Sequence, residues 1–268
     1  MIANPADWPL HESGSVHAAR TVLLLPGGLC TAAFYDDVMK ALDGSDVRCV
    51  ALTLPGFGGT PPTQELTTES HAAFASAVAD RVGANVIVGH SQGANVALEI
   101  AASGAFKGPI VLLSPTFSIE DEMKEFITVS RIGRVPILGA VVWRLMAAMI
   151  GKLFKDAFPE GYPAEQRQRL IAEVKRNRAK DIRRLATLNL DYFERYGSLA
   201  ERLCNAGVKS WVVFGDKDQV GLTDEEKRAL DSCPDVRLVT VPNATHMVLL
   251  DQPAAVADVI RESLPASI

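Results

Sequence analysis

The sequence predicts an α/β protein carrying one long helical insertion, and three observations support that class. Short apolar runs alternate with helical patterns through the first 113 residues and again after residue 208. Alternation of this kind places strands in a sheet with helices packed on it. A serine turn bracketed by glycines joins one apolar run to an Ala-rich run near position 91. Residues 117–205 then contain no convincing strand while helical spacing recurs. A structureless loop of that length is implausible in a compact domain, so the stretch reads as inserted helices.

The chain has 268 residues, 48% hydrophobic and 22% charged, enough to bury a full core as one domain or one domain with an insertion. A net charge of −5 argues against general nucleic-acid binding. The first residues show no basic-then-apolar leader pattern. No apolar run is expected to reach the ~18–20 residues of a membrane span. The longest, residues 135–150, is interrupted by Arg144. Cys30, Cys49, Cys204 and Cys233 are widely spaced with no CxxC, so reduced thiols in a cytoplasmic protein are expected and a metal site is not.

In chain order, a first strand is expected near residues 15–18. Residues 21–25 are a strong strand signal closed by Pro26-Gly27-Gly28. Phe34, Val38, Ala41 and Leu42 fall at helical spacing and predict a helix over 34–42. The strand at 47–54 runs into Pro55-Gly56-Phe57-Gly58-Gly59. These glycines lack the G-x-G-x-x-G order and no helix follows at once, so the loop reads as a pocket wall rather than a dinucleotide site. A helix is predicted over 67–82, with His71 near its start read as a solvated or core-edge residue. Strands follow at 85–88, 110–113, 209–214 and 236–241. Thr223 to Glu226 forms a capping box, and Pro253 suits the first turn of a final helix.

The informative stretch is Gly89-His90-Ser91-Gln92-Gly93, lying between the strand at 85–88 and the Ala-rich helix at 94–102. Strand, G-x-S-x-G and helix together make a nucleophile elbow. A sharp turn lifts the Ser91 hydroxyl clear of the sheet. Close packing at 89 and 93 leaves no room for side chains. The helix start aims backbone N–H groups, Gln92 first, at an oxygen that becomes negative during attack. His90 sits on the turn itself and reads as structural, its ring directed away from Ser91.

At these residues the chain resembles the α/β-hydrolase superfamily, in its serine-nucleophile, capped, esterase- or lipase-like branch. The resemblance implies a mainly parallel, doubly wound sheet, with the first strands free to run antiparallel and a helical cap inserted at 117–205. It divides the core into 1–116 and 206–268. The superfamily's His-Gly-x loop corresponds to Pro26-Gly27-Gly28, which makes the Gly28 amide the second oxyanion donor and Leu29 the fallback. Its D-x-x-G-x-G-x-S loop corresponds to residues 53–60, with Thr53 in place of Asp. Two carboxylates, Asp216 and Asp218, close the strand at 209–214, and the family's G-x-x-D pattern selects Asp218. Its G-H-x4-[ED]-x-P pattern matches His246, Asp251 and Pro253, with Thr245 in place of Gly. The chain order Ser91, Asp218, His246 is the hydrolase order.

The activity so implied is hydrolysis of a carboxylic ester through an acyl-enzyme, with catalytic Ser91, Asp218 and His246, oxyanion amides of Gly28 and Gln92, and no cofactor or metal. Serine at the elbow argues against dehalogenase or epoxide-hydrolase chemistry, which starts from a carboxylate. C–C or amide hydrolysis, acyl transfer, lyase chemistry and a slow-turnover receptor use the same constellation in relatives. The expected partner is a small-molecule acyl substrate, with no nucleic acid and no membrane span; a homodimer is left open. Within the cap, residues 135–150 contain Trp143, Met146 and Met149 and read as a buried helix that also lines the acyl site. They lack a clear amphipathic pattern, which argues against membrane contact. Residues 118–205 carry 16 basic and 12 acidic side chains, whereas the rest of the chain carries 11 and 20. Residues 167–184 hold eight basic side chains against Glu173 and Asp181. They read as a solvated helix face, with attraction for an anionic substrate or carrier as the alternative.

Overall fold

The computed structural model describes residues 3–44 and 46–265. Ser45 and the outermost ends of the two expected core segments lie outside the described residues. Seven strands form one sheet in the order β1-β3-β2-β4-β5-β6-β7. They are β1 (His11–Ser13), β2 (Arg20–Leu25), β3 (Val47–Ala51), β4 (Val86–His90), β5 (Ile110–Leu113), β6 (Ser210–Gly215) and β7 (Val236–Val241). Only the β1–β3 pair is antiparallel. The first strand therefore lies earlier than residues 15–18. Those residues turn instead, with the Ala18 N–H donating to the Ser15 carbonyl after Gly14 at φ 82°.

The β2 side chains show why the sheet is covered on both faces. Val22 and Leu24 enter one apolar cluster, Leu23 and Leu25 the other, and all four are fully buried. That is the period-2 alternation of a strand with no solvent face. Helices α1 (Asp36–Ala41) and α11 (Pro253–Ser263) pack together on the first face. Helices α2 (Thr68–Val82), α3 (Gln92–Ala102), α8 (Leu199–Ala206) and α9 (Asp224–Asp231) pack in succession on the second. The single-turn α10 (Val248–Asp251) precedes α11. The helix expected over 34–42 begins as a 3₁₀ turn at Ala32–Tyr35 and becomes α1 only from Asp36. Thr67 caps α2 by accepting the Ser70 N–H, and the capping box of Thr223 and Glu226 opens α9.

Between β5 and β6 the chain makes α4 (Lys124–Gly133), α5 (Pro136–Leu153), α6 (Ala164–Val174), α7 (Ala179–Tyr196) and α8. Helices α4, α5 and α7 line the cavity at the strand ends, α6 packs on α5, and α8 returns to the sheet. Their basic side chains largely act as ties. Arg178 reaches the Thr60 carbonyl at 3.1 Å, Arg183 the Gly133 carbonyl at 2.8 Å, and Arg169 pairs with Asp36. The buried Glu99 of α3 pairs with Arg202 at 2.8 Å and accepts the Tyr192 hydroxyl at 2.9 Å, locking α7 and α8 onto the elbow helix.

Two sequence expectations are corrected here. Cys204 and Cys233 form a disulfide with Cα atoms 5.7 Å apart, because α8 and the turn after α9 pack side by side; Cys30 and Cys49 stay free and buried. The apolar run does not stop at Ile150: an 18-residue window within Pro136–Ala157 has a mean hydropathy of 1.7, and these residues are long and apolar enough by length and composition to cross a membrane. One arginine does not reduce the mean far enough to exclude them. Their packing is equally informative, since only 17% of that window is buried.

Candidate active site

All parallel strands end at one edge of the sheet, so the loops after β2, β4, β5, β6 and β7 meet there. Ser91 sits between β4 and α3 at φ 50°, ψ −119°, a backbone that L-residues rarely hold. Its N–H is pinned to the Leu113 carbonyl at 2.8 Å. The flanking glycines have no alternative. A Cβ at Gly89 would lie 2.1 Å from the Gly93 carbonyl oxygen, and one at Gly93 would lie 2.2 Å from the Leu25 carbonyl oxygen. The loop after β2 presses on the same turn: a Cβ at Gly27 would meet the His90 ring at 2.7 Å, and one at Gly28 would meet the Gln92 side chain at 2.9 Å. The backbone amides of Gly28, Leu29 and Gln92 have no protein acceptor among the described residues. Leu29 itself is at φ 68°.

Asp218 and His246 come together across 28 positions of sequence. His246 Nδ1 lies 3.1 and 3.3 Å from the two Asp218 oxygens, and a carboxylate can only accept, so Nδ1 carries the proton. Nε2 is left on the opposite side of the ring. Burial alone would raise the Asp218 carboxyl. The hydrogen bond and charge of His246, the Ser114 hydroxyl and the Val220 N–H outweigh it and hold the group below the ordinary carboxylate range. Ser91, Gln92, Gly28 and His246 line one cavity of about 220 Å³. Among the described residues no hydrogen bond joins the Ser91 hydroxyl to His246; such contacts are often loose before substrate binds.

Asp216, the other carboxylate at this strand end, accepts the Ala244 N–H at 3.1 Å and so fixes the start of the histidine loop. Asp251 fixes the same loop from the other side, accepting the Thr245 N–H at 2.7 Å and its hydroxyl at 2.6 Å. His90 points into the fold, as expected of a structural residue. Its Nε2 donates to the His246 carbonyl at 2.8 Å. Burial first, and the neighbouring His246 second, lower its pKa to about 3. This orienting contact spans 156 residues and left no local signal. The fully buried His71 is neither solvated nor at an edge: it bonds the Pro55 carbonyl at 2.9 Å, and burial lowers its pKa to about 4. Asn177 was also missed. Its side chain accepts the Gly58 N–H at 3.0 Å and donates to the Leu29 carbonyl at 2.8 Å, bracing the loop that carries Gly28.

The remaining wall is mostly apolar, with Phe57, Phe126, Trp143, Phe154 and Leu185. Glu122 is the one acidic side chain among the lining residues, and burial pushes its carboxyl up. Cys30 lies in the wall too, but burial raises its thiol so far that it stays protonated and does not compete as a nucleophile.

A serine on a strained elbow that shares a cavity with a carboxylate-bonded imidazole, on a mainly parallel α/β sheet, is an arrangement found in hydrolases. The chain belongs to the alpha/beta hydrolase family, whose sequence profile matches residues 22–259. No curated protein sequence matches it significantly. Its fold is similar to that of a thermophilic esterase from Thermogutta terrifontis, at 18% identity and TM-score 0.75, covering 95% of this chain and 91% of that one. It is similar to the thioesterase domain from the curacin biosynthetic pathway, at 20% identity and TM-score 0.67, covering 95% and 94%. It is similar also to a lipase-esterase related protein from Clostridium acetobutylicum, at 16% identity and TM-score 0.69, covering 95% and 99%. At these identities the likeness is one of fold.

Proposed function

We propose that the protein is a serine hydrolase of carboxylic esters. Ser91 attacks the acyl carbonyl while His246 Nε2 takes its proton. Asp218 holds the imidazole in the productive tautomer and stabilises its charged form. The amides of Gly28 and Gln92 receive the tetrahedral oxyanion. Collapse breaks the bond to the alcohol, which leaves with the proton from His246 and an acyl group on Ser91. Water, deprotonated by His246, then releases the acid and restores the serine. The helical insertion acts as a cap that closes the cavity.

One observation carries the reading: His246, half-buried and hydrogen-bonded to the buried Asp218 carboxylate, opens onto the same cavity as Ser91 and the unpartnered amides. The esterase and thioesterase among the structural neighbours support it. At about 220 Å³ the cavity is smaller than the ~300–1,000 Å³ of drug-sized sites, so short acyl groups fit best. The test is hydrolysis of p-nitrophenyl esters of increasing acyl length by wild type and Ser91→Ala. Wild type should turn over short esters, and the variant should lose at least ~10³-fold in kcat/KM. Equal activity in both would remove Ser91 as nucleophile; inactivity in both would remove simple esters as substrates.

A further inference from the structure

Helix α5 is apolar on two sides. Its inner side buries Gly139, Trp143 and Ile150 against the rest of the insertion, and Trp143 reaches the cavity wall. Its outer side is exposed and equally apolar. Of the nine large hydrophobic side chains exposed among the described residues, seven lie between Val135 and Leu153 and an eighth is Met123 of the adjoining turn. Ile137, Val141, Leu145, Met149 and Leu153 recur every fourth residue, which makes a continuous stripe of ~24 Å along the helix. Ile137 is 83% and Leu145 62% exposed. Apolar side chains scattered singly need no explanation, but a contiguous stripe does.

Charge indicates what covers it. Residues 131–155 contain Arg131, Arg134, Arg144, Lys152 and Lys155 and no acidic residue. Arg134 is paired with Asp191 and Glu194 of α7; Arg144 and Lys152 are exposed on α5 itself. The insertion as a whole is net basic and the remaining chain net acidic. An apolar stripe rimmed by cations fits the boundary between acyl chains and anionic headgroups. A symmetric pairing of two copies would instead bring the basic rim against itself. The buried inner side keeps the helix lying on the protein rather than spanning a bilayer.

We propose that the outer side of α5 docks the protein onto an anionic lipid surface, with the apolar stripe immersed and the cations at headgroup level. The cavity then sits on the opposite side of the helix that touches the membrane. This surface goes beyond the ester-hydrolase reading and does not need it, because binding is measured without turnover.

The experiment is co-sedimentation of the full chain with phosphatidylcholine vesicles, with or without phosphatidylglycerol. Wild type and Val16→Glu, a control altered at an exposed apolar residue outside the insertion, should pellet with the phosphatidylglycerol vesicles and less with phosphatidylcholine alone. Added salt should weaken the binding. Ile137→Glu combined with Leu145→Glu should weaken it at least ~10-fold, while hydrolysis of a soluble ester stays at the wild-type rate. Three results would overturn the proposal: no wild-type binding to phosphatidylglycerol vesicles, equal binding by the double variant, or protein that resists alkaline carbonate extraction and therefore spans. A wild-type dimer in light scattering that the double variant abolishes would assign the stripe to a second copy instead. Loss of esterase activity with vesicle binding intact would count against the ester reading alone.

Discussion

Asp216 and Asp218 stand two residues apart at one strand end, yet only Asp218 faces the imidazole. The difference can be read in turnover. Asp218→Asn preserves shape but removes the charge and reverses the hydrogen bond to Nδ1, so kcat on a short p-nitrophenyl ester should fall ~10⁴-fold with the fold intact. Asp216→Asn still presents an oxygen to the Ala244 N–H, and its kcat should remain near wild type. Equal losses would mean that the acidic partner has been misassigned. Ser91, Asp218 and His246 stood out in sequence as candidates because each sits in a short motif at the end of an apolar run. His90, Asn177 and Asp251 were not legible in their roles. Each acts by bonding backbone groups elsewhere in the chain, and a backbone donor or acceptor imposes no residue type on the sequence that supplies it.

Among the elements, the pairing of α8 with the turn after α9 has a measurable consequence. The Cys204–Cys233 bridge closes a loop with a sequence separation of 29, and a crosslink of that span contributes ~3–4 kcal/mol through the unfolded chain. Urea unfolding with and without reductant should show a stability difference of that size, absent in a Cys204→Ser, Cys233→Ser variant. Identical curves would mean that the thiols are not joined. Wide spacing had suggested reduced thiols, but linear spacing says nothing about which helices become neighbours. The same limit explains β1. A three-residue edge strand pairs with β3 on one side only, and its exposed residues carry no apolar signature. The interior strands β2, β4 and β5 were legible at once, since burial on both faces demands unbroken apolar runs.

For the whole molecule, two buried histidines and the half-buried Asp121 contribute to the pH dependence of stability. His71 and His90 have folded pKa values of about 4 and about 3, below the ordinary histidine value of 6.5. From pH 6.5 downward the unfolded chain takes up these two protons and the folded chain does not, so stability falls with acid. Asp121 opposes them: burial, then the nearby Glu226, raises it from 3.8 to about 7. Between those values the folded chain holds a proton that the unfolded chain has lost, which favours folding at lower pH. Two histidines outweigh one carboxyl that is partly exposed, so the urea midpoint should rise from pH 4.5 to 6.5 and flatten above. Asp121→Asn should steepen that rise; a midpoint independent of pH would contradict the burial of both rings.

The parallel ladder has a practical corollary. Because every loop of the site leaves the carboxyl ends of the strands, the turns entering β5 and β6, with Lys107 and Lys209, lie at the far rim of the sheet. A resin, dye or affinity handle attached there would hold the molecule by its back, with the cavity and the greasy side of α5 both turned toward whatever is presented to them.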